Sequence, residues 1–485
     1  MALALLFSVW AVSAGWAHNL LDLHGFRQTQ TAISAYYLAA GSPFFAYETP
    51  VLGPPWSIPF EFPLYQEVVA VLVSSLHLNL ESAGRLVSVS FFYLTLLPFL
   101  DVLRSLGVAL RDRLIFVCFL LVSPLYLFWS RTFMIESTAL FFSIAYLALS
   151  MRFVSHHRRW SWLGALICGC LGGLVKLTTL YAFWVAAVAF AAWRIWQRDR
   201  IDLRRLAMLC GLFAVPVVTA VAWTRFADVQ RSLNPFADFL QASNLTAWNF
   251  GTLHQRLDVY PTWWAISVRT IKDTCGTLAF YVTAASILWS RKYLSYYISC
   301  LTLYLVSMMT FTNLHVIHEY YPYAIGIFVI SAQGFAVSSL LQGTRVQRAA
   351  GLAMVALFLP LSAWSYINYQ YGFQARETRG VTPLARAVEA LSRPSDVLII
   401  YGLDWSSELP YYAHRRALMI RSPQELTPQI IDSEKTAISQ QGYRVGPLVG
   451  CHLSQAYLRT QARLWGLDLS RETALQDCHA YRPAD

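Results

Sequence analysis

The sequence predicts an α-helical polytopic membrane protein of about eleven transmembrane helices, with a small C-terminal α/β extracytoplasmic domain. Three observations predict this. The 485 residues are 56% hydrophobic and only 13% charged, against about a quarter charged in soluble domains. Charge-free stretches recur at 86–100, 114–130, 160–175, 177–193, 206–224, 293–317, 320–344 and 349–375, each near the roughly 17–25 residues that cross a bilayer. The basic residues gather in short turns between them: Arg104/Arg111/Arg113, Arg152/Arg158/Arg159, Arg194/Arg198/Arg200/Arg204/Arg205, Arg291/Lys292 and Arg345/Arg348. The positive-inside rule reads those turns as cytoplasmic. The net charge of +10 is therefore topology, not a nucleic-acid surface.

The spans fall near 1–18, 84–103, 113–130, 133–152, 160–176, 177–194, 206–225, 274–290, 293–312, 321–341 and 349–367. Residues 1–18 imitate a signal peptide at Trp16-Ala17-His18 but lack a positive n-region, so they read as a first anchor with a slightly truncated start. An odd number of spans puts the N-terminus inside and the tail outside. The outer face then receives residues 19–83, the bend at Arg131, a tight turn at Lys176, residues 226–273, the turn 313–320 and the tail. This gives a transmembrane catalytic domain over 1–367 and an α/β domain over 368–485.

Within the first loop, residues 27–40 have helical spacing, ended by Gly41-Ser42-Pro43. Residues 50–63 are rich in Pro and Gly and irregular. Pro63 opens a second amphipathic helix, 64–78. Both helices are too short to span, and are expected to lie in the interface. In the tail, residues 396–402, 417–420, 443–449 and 478–481 read as strands and 406–416 as a helix. Six of the eight Cys fall in or near apolar helices as small core residues. Cys451 and Cys478 lie in the tail, and the sequence leaves their pairing open. No internal repeat stands out, which weakens a transporter built on inverted repeats.

Ionisable groups at membrane depth mark function or a specific partner. Lys176 is one of only four lysines and interrupts an apolar run. It reads as functional rather than as a snorkelling charge, since positive residues are disfavoured outside. Arg131 and Glu136 are five apart and do not stack on one helical face. They read as a pair bridging two helices or as part of a site, with Glu136 the sharper signal. His315, His318 and Glu319 share a face, but no second His-rich element supports a metal. His318 with Tyr321 better suits a phosphate or sugar. Asp22, Glu48 and Glu61 are the loop carboxylates able to act as a general base. Glu61 is best situated, ahead of Phe62-Pro63.

Several strings, taken in order, resemble the GT-C superfamily of membrane glycosyltransferases, which includes the aminoarabinose transferases and protein O-mannosyltransferases. They are Arg27-Gln28-Thr29-Gln30-Thr31-Ala32, Glu61-Phe62-Pro63-Leu64-Tyr65-Gln66, Gly84-Arg85-Leu86, Ser130-Arg131-Thr132-Phe133-Met134-Ile135-Glu136, Val175-Lys176 and His318-Glu319-Tyr320-Tyr321-Pro322. Gly402-Leu403-Asp404-Trp405 and Tyr411-Tyr412 extend the resemblance into the tail. It implies an inverting transfer of sugar from a polyprenyl-phosphate-linked donor to a cell-envelope acceptor (lipid, glycan or protein), at the periplasmic face of a bacterial inner membrane. Relatives often carry Asp at the position of Gln30, so the base falls to Glu61, with Asp22 or Glu48 as substitutes, unless the acceptor is already an anion. Arg27, Arg131, Lys176 and His318 would hold the donor phosphate. Gln28 and Gln30 would orient sugar or acceptor, and His24, Tyr65, Glu136 and Tyr321 complete the substrate-binding set. The resemblance calls for no cofactor, no metal and no nucleic acid. A lipid-linked saccharide flippase would spread polar residues through the midplane, where this chain has few. A non-catalytic scaffold would leave Lys176 and Glu136 unexplained.

Overall fold

The computed structural model describes residues 1–197, 202–421, 426–475 and 477–483. Arg198 and Arg200, assigned to a basic turn, lie outside the described residues. The chain forms two compact units. The first comprises Met1–Ala17, Arg85–Trp223 and Leu245–Arg376; the second, His18–Gly84, Thr224–Asn244 and Glu377–Asp485.

The first unit is helical. Among the described residues, five helices are long and apolar enough to cross a membrane: Leu80–Ser105, Glu136–His156, Arg159–Trp196, Leu203–Ser232 and Arg345–Tyr369. The other expected spans meet shorter helices, Ala2–Ser13, Leu110–Val122 continued by Pro124–Trp129, Thr277–Trp289, Leu294–Thr310 and Gly326–Leu341. Glycines let the Glu136–His156 and Arg159–Trp196 helices approach closely. A Cβ on Gly169 would lie 2.7 Å from the Tyr146 ring, and one on Gly164 3.1 Å from Leu149.

Lys176 divides the Arg159–Trp196 segment. Its φ of −162° and ψ of 97° are extended, whereas the residues around it are helical. Seven residues of straight helix span about 10 Å, yet Leu180 reaches back to within 3.2 Å of a Cβ built on Gly173. The Trp162 and Trp184 indoles donate to the Met208 and Phe213 carbonyls, both at 2.9 Å. Two arms of one segment thus lean on the same stretch of the Leu203–Ser232 helix. The second arm folds back along the first, and Lys176 sits at the closed end, in the tight turn that the sequence predicts.

The second unit is built on a five-stranded sheet of β1 (Asp396–Tyr401), β2 (Arg416–Ile420), β3 (Arg444–Cys451), β4 (Leu467–Leu475) and β5 (Cys478–Pro483), in the order β2-β1-β3-β5-β4. β1 pairs in parallel with β2 and β3, and β5 runs antiparallel to β3 and β4. Cys451 and Cys478 face each other in the β3–β5 register and form a disulfide. Residues 50–53 of the first loop extend the β2 edge: Ala417 N–H donates to the Pro50 carbonyl at 3.0 Å and Met419 N–H to Val51 at 2.9 Å. The Asn234 amide fixes this segment by donating to the Leu52, Gly53 and Pro55 carbonyls.

Two expectations change here. The tail helix expected over 406–416 is only Glu408–Tyr412, because left-handed His414 (φ 52°) turns the chain into β2. The first loop helix, Gly25–Ala39, does not present a solvated polar face as an interfacial helix would. Gln28, Thr29, Gln30, Thr31 and Ser34 are all buried by protein. The second, Leu64–Leu76, packs against it and stops at left-handed His77.

Candidate functional site

The chemistry-bearing residues fall into two clusters, one in each unit. In the second unit, the Gly25–Ala39 helix carries Arg27 and Gln30 on one face, three residues apart. The Arg27 guanidinium forms an ion pair with Glu61 and donates a second hydrogen bond to the Gln30 side-chain oxygen. The Gln30 amide nitrogen is buried and has no partner among the described residues. Tyr47 fixes Glu61 through the backbone. Its hydroxyl donates to the Glu61 carbonyl at 2.9 Å and accepts from Phe60 N–H at 2.7 Å. Burial pushes the Tyr47 phenol above its ordinary range, with the Glu61 charge adding to it.

The tail supplies an aromatic wall to the same cluster. The Trp405 ring stacks on Phe60 at 5.9 Å and meets Phe26 edge-on at 4.8 Å. These are the neighbours of Glu61 and Arg27. Ser407 adds a hydroxyl contact to Thr29 at 3.0 Å, and Tyr412 accepts from Leu20 N–H at 2.6 Å.

The other loop candidates go elsewhere. Asp22 accepts from the Gln28 amide at 2.5 Å and from Leu23 N–H at 2.9 Å, bracing the entry to the helix. His24 is left-handed, and its carbonyl accepts from Arg27 and Gln28 N–H. Glu48 pairs with Arg416 of β2 at 2.7 Å, and that guanidinium lies over the Tyr37, Trp56 and Tyr443 rings. Tyr65 is fully buried and donates to the Gly84 carbonyl at 2.9 Å.

In the first unit, Lys176 Nζ pairs with Glu136 Oε1 at 2.6 Å. Lys176 also lies 3.9 Å from the Tyr321 ring centroid and 5.2 Å from that of Tyr320. His318 stacks on Tyr321 at 5.6 Å, and Trp248 closes on His318 at 5.8 Å. The second oxygen of Glu136 is buried without a partner among the described residues, as is the Thr179 hydroxyl one turn beyond Lys176. The Glu136 partner is thus Lys176, not Arg131. Arg131 is fully buried and donates to the Gly15 carbonyl at 3.1 Å, beside the Arg85 bond to Trp16. Burial holds the His315 imidazole neutral, pushed down to about 3, with Arg269 and Lys176 adding to the effect. Asp273 is pushed up to about 6 by burial, against the pull of Arg269.

Sequence reasoning missed Tyr47 and Arg416 as members of these clusters, and drew on Tyr320 and Trp405 only through a resemblance. Tyr47 and Tyr320 each adjoin a residue that was singled out, a signal too weak to use alone.

No protein-family profile and no curated protein matches the sequence. Solved structures do match. ArnT from Cupriavidus metallidurans bound to undecaprenyl phosphate is similar over 99% of this chain and 96% of its own, with a TM-score of 0.63 and 14% identity. Archaeal oligosaccharyltransferase AglB from Archaeoglobus fulgidus, in complex with an inhibitory peptide and a dolichol-phosphate, is similar over 93% of this chain and 68% of its own (TM-score 0.53, 11% identity). Arabinofuranosyltransferase AftD from mycobacteria is similar over all of this chain and 40% of its own (TM-score 0.55, 13% identity). At such identities the likeness is one of fold, and the chain shares the fold of these structures.

Proposed function

We propose that the protein transfers a sugar from a polyprenyl-phosphate-linked donor to a cell-envelope acceptor at the periplasmic face of a bacterial inner membrane. The observation that carries this reading is the Arg27–Glu61–Gln30 cluster on a GT-C fold. It holds a half-buried carboxylate fixed by Tyr47, a cation, and a buried amide nitrogen with no partner among the described residues. Glu61 takes the proton of the acceptor hydroxyl, or orients an acceptor that is already an anion. The acceptor oxygen bonds to the anomeric carbon as its bond to the phosphate oxygen breaks, and the electron pair leaves with the phosphate. One such displacement inverts the anomeric centre. Gln30 and Trp405 offer a hydrogen bond and an aromatic face to a sugar. Asp22, Glu48 and Glu61 are all partnered, by Gln28, Arg416 and Arg27, and Glu61 is favoured for the base because the guanidinium that pairs with it also holds Gln30.

Lys176 and His318, against Tyr320 and Tyr321, suit the donor phosphate, whose developing charge they would stabilise. Arg131 and Arg85 hold the chain at Gly15–Trp16 and act as positioning residues. The Cys451–Cys478 disulfide suits an oxidising compartment for the tail. Support also comes from the lipid phosphates bound in two similar structures, undecaprenyl phosphate and a dolichol-phosphate.

The test is transfer of labelled sugar from polyprenyl phosphate in detergent, comparing Glu61→Gln and Lys176→Ala at matched expression. The reading expects both to lose most transfer. Activity near wild type in both removes its core.

A further inference from the structure

The open end of the Arg159–Trp196 hairpin carries a second feature, far from Lys176. Eighteen residues separate Lys176 from both Arg158 and Arg194, roughly 27 Å along either arm. A cavity of about 820 Å³ lies there, lined among the described residues by Arg104, Arg152, Arg158 and Arg194 against the carboxylate of Asp101. Asp101 is occupied by Arg152, at 2.5 Å. Arg194 has a buried Nε without a partner among the described residues. Three guanidinium charges therefore remain without a carboxylate among the lining residues. Ser155 and Ser161 add hydroxyls.

This basic cavity adjoins an apolar one. A groove of about 590 Å³ shares Leu106, Phe190, Trp193 and Tyr296 with it and continues between the helices past Ile144 and Phe328. Trp160 and Trp196, 82% and 91% exposed, flank the same end, as aromatic residues do at headgroup level. A soluble anion would have no use for the groove, and a neutral lipid none for the arginines.

We infer that this end of the first unit binds one anionic glycerophospholipid of the bilayer, its phosphate among Arg104, Arg158 and Arg194 and a hydrocarbon chain in the groove. Basic pockets between transmembrane helices select such headgroups, and Arg suits phosphate through its forked donors. The site is separate from the transfer chemistry at Lys176 and does not rest on it.

Native mass spectrometry of the full chain in detergent tests this with three probes: dioleoyl phosphatidylglycerol, dioleoyl phosphatidylcholine and glycerol phosphate. Wild type is expected to retain phosphatidylglycerol over phosphatidylcholine, with no displacement by glycerol phosphate. The double variant R104Q/R194Q should bind phosphatidylglycerol more weakly by roughly tenfold or more. Ala189→Trp, which fills the groove and keeps every arginine, should weaken it too, and decides the matter if the charge variant fails to fold. Equal retention of the two lipids, unchanged binding in Ala189→Trp, or displacement of phosphatidylglycerol by equimolar undecaprenyl phosphate would overturn the inference.

Discussion

Two glutamate–cation pairs, one in each unit, differ in what surrounds them. Lys176–Glu136 is shut in, its side chains 8% and 1% exposed; Arg27–Glu61 is partly open, at 16% and 23%. A buried pair is costly to break, because either charge left alone lacks both water and a partner. A partly open pair contributes little to stability, so its members can exchange each other for a ligand. The shut pair suits a fixed electrostatic framework at a helix turn, and the open pair suits a base and a binding cation.

The largest effect should come from breaking the shut pair on one side. Lys176→Met leaves Glu136 buried and alone, and should cost about 3–5 kcal/mol, read as lowered unfolding stability in detergent. Glu136→Gln with Lys176→Met should recover most of that stability without recovering transfer. Recovery of both would make the pair purely structural. For the open pair the expected pattern is reversed. Glu61→Gln should slow transfer by about 10²–10⁴-fold while changing stability by less than about 1 kcal/mol. A large stability loss with intact transfer would erase the contrast.

Glu434 gives the comparison a carboxyl with no cation. It is 4% exposed, has a buried oxygen with no partner among the described residues, and is pushed up to about 7 by burial alone. A raised carboxyl favours the folded state fully below its unfolded pKa of about 4.5, and that contribution is lost as pH rises through about 7. Glu434→Gln imitates the protonated form. It should therefore match wild type at pH 4 and exceed it by up to about 3 kcal/mol at pH 8, measured by unfolding at both pH values. The smallest effect is expected for Tyr47→Phe. Losing the bridge between Phe60 and Glu61 should cost about 1 kcal/mol and slow transfer only several-fold, through a less firmly held Glu61.

Helical spans were legible because charge-free runs and basic turns are local signals. So was the break at Lys176, a lone cation between two apolar runs. The β1, β2, β3 and β5 strands could be read from short apolar runs. β4, Leu467–Leu475, was not, although Leu467, Leu469, Thr473 and Leu475 alternate, because Asp468, Arg471 and Glu472 dilute the pattern. The Pro428–Gln440 and Gln455–Trp465 helices were also missed, despite capping by Thr427 and Ser454. Pairings were out of reach. Arg27 and Glu61 are 34 residues apart and Lys176 and Glu136 are 40 apart, and no spacing rule reaches across such separations. The disulfide could be left only as an open question, since it depends on a β3–β5 register that sequence does not state.

The central claim is tested most directly by following a labelled sugar on undecaprenyl phosphate, with hexose and pentose donors, in membranes from cells lacking this protein. With added wild type, label should move from one of these donors into an acceptor fraction. With Glu61→Gln of equal stability, it should move at least about 100-fold more slowly. Label that stays on every donor with wild type, or moves equally fast with Glu61→Gln, would contradict the account.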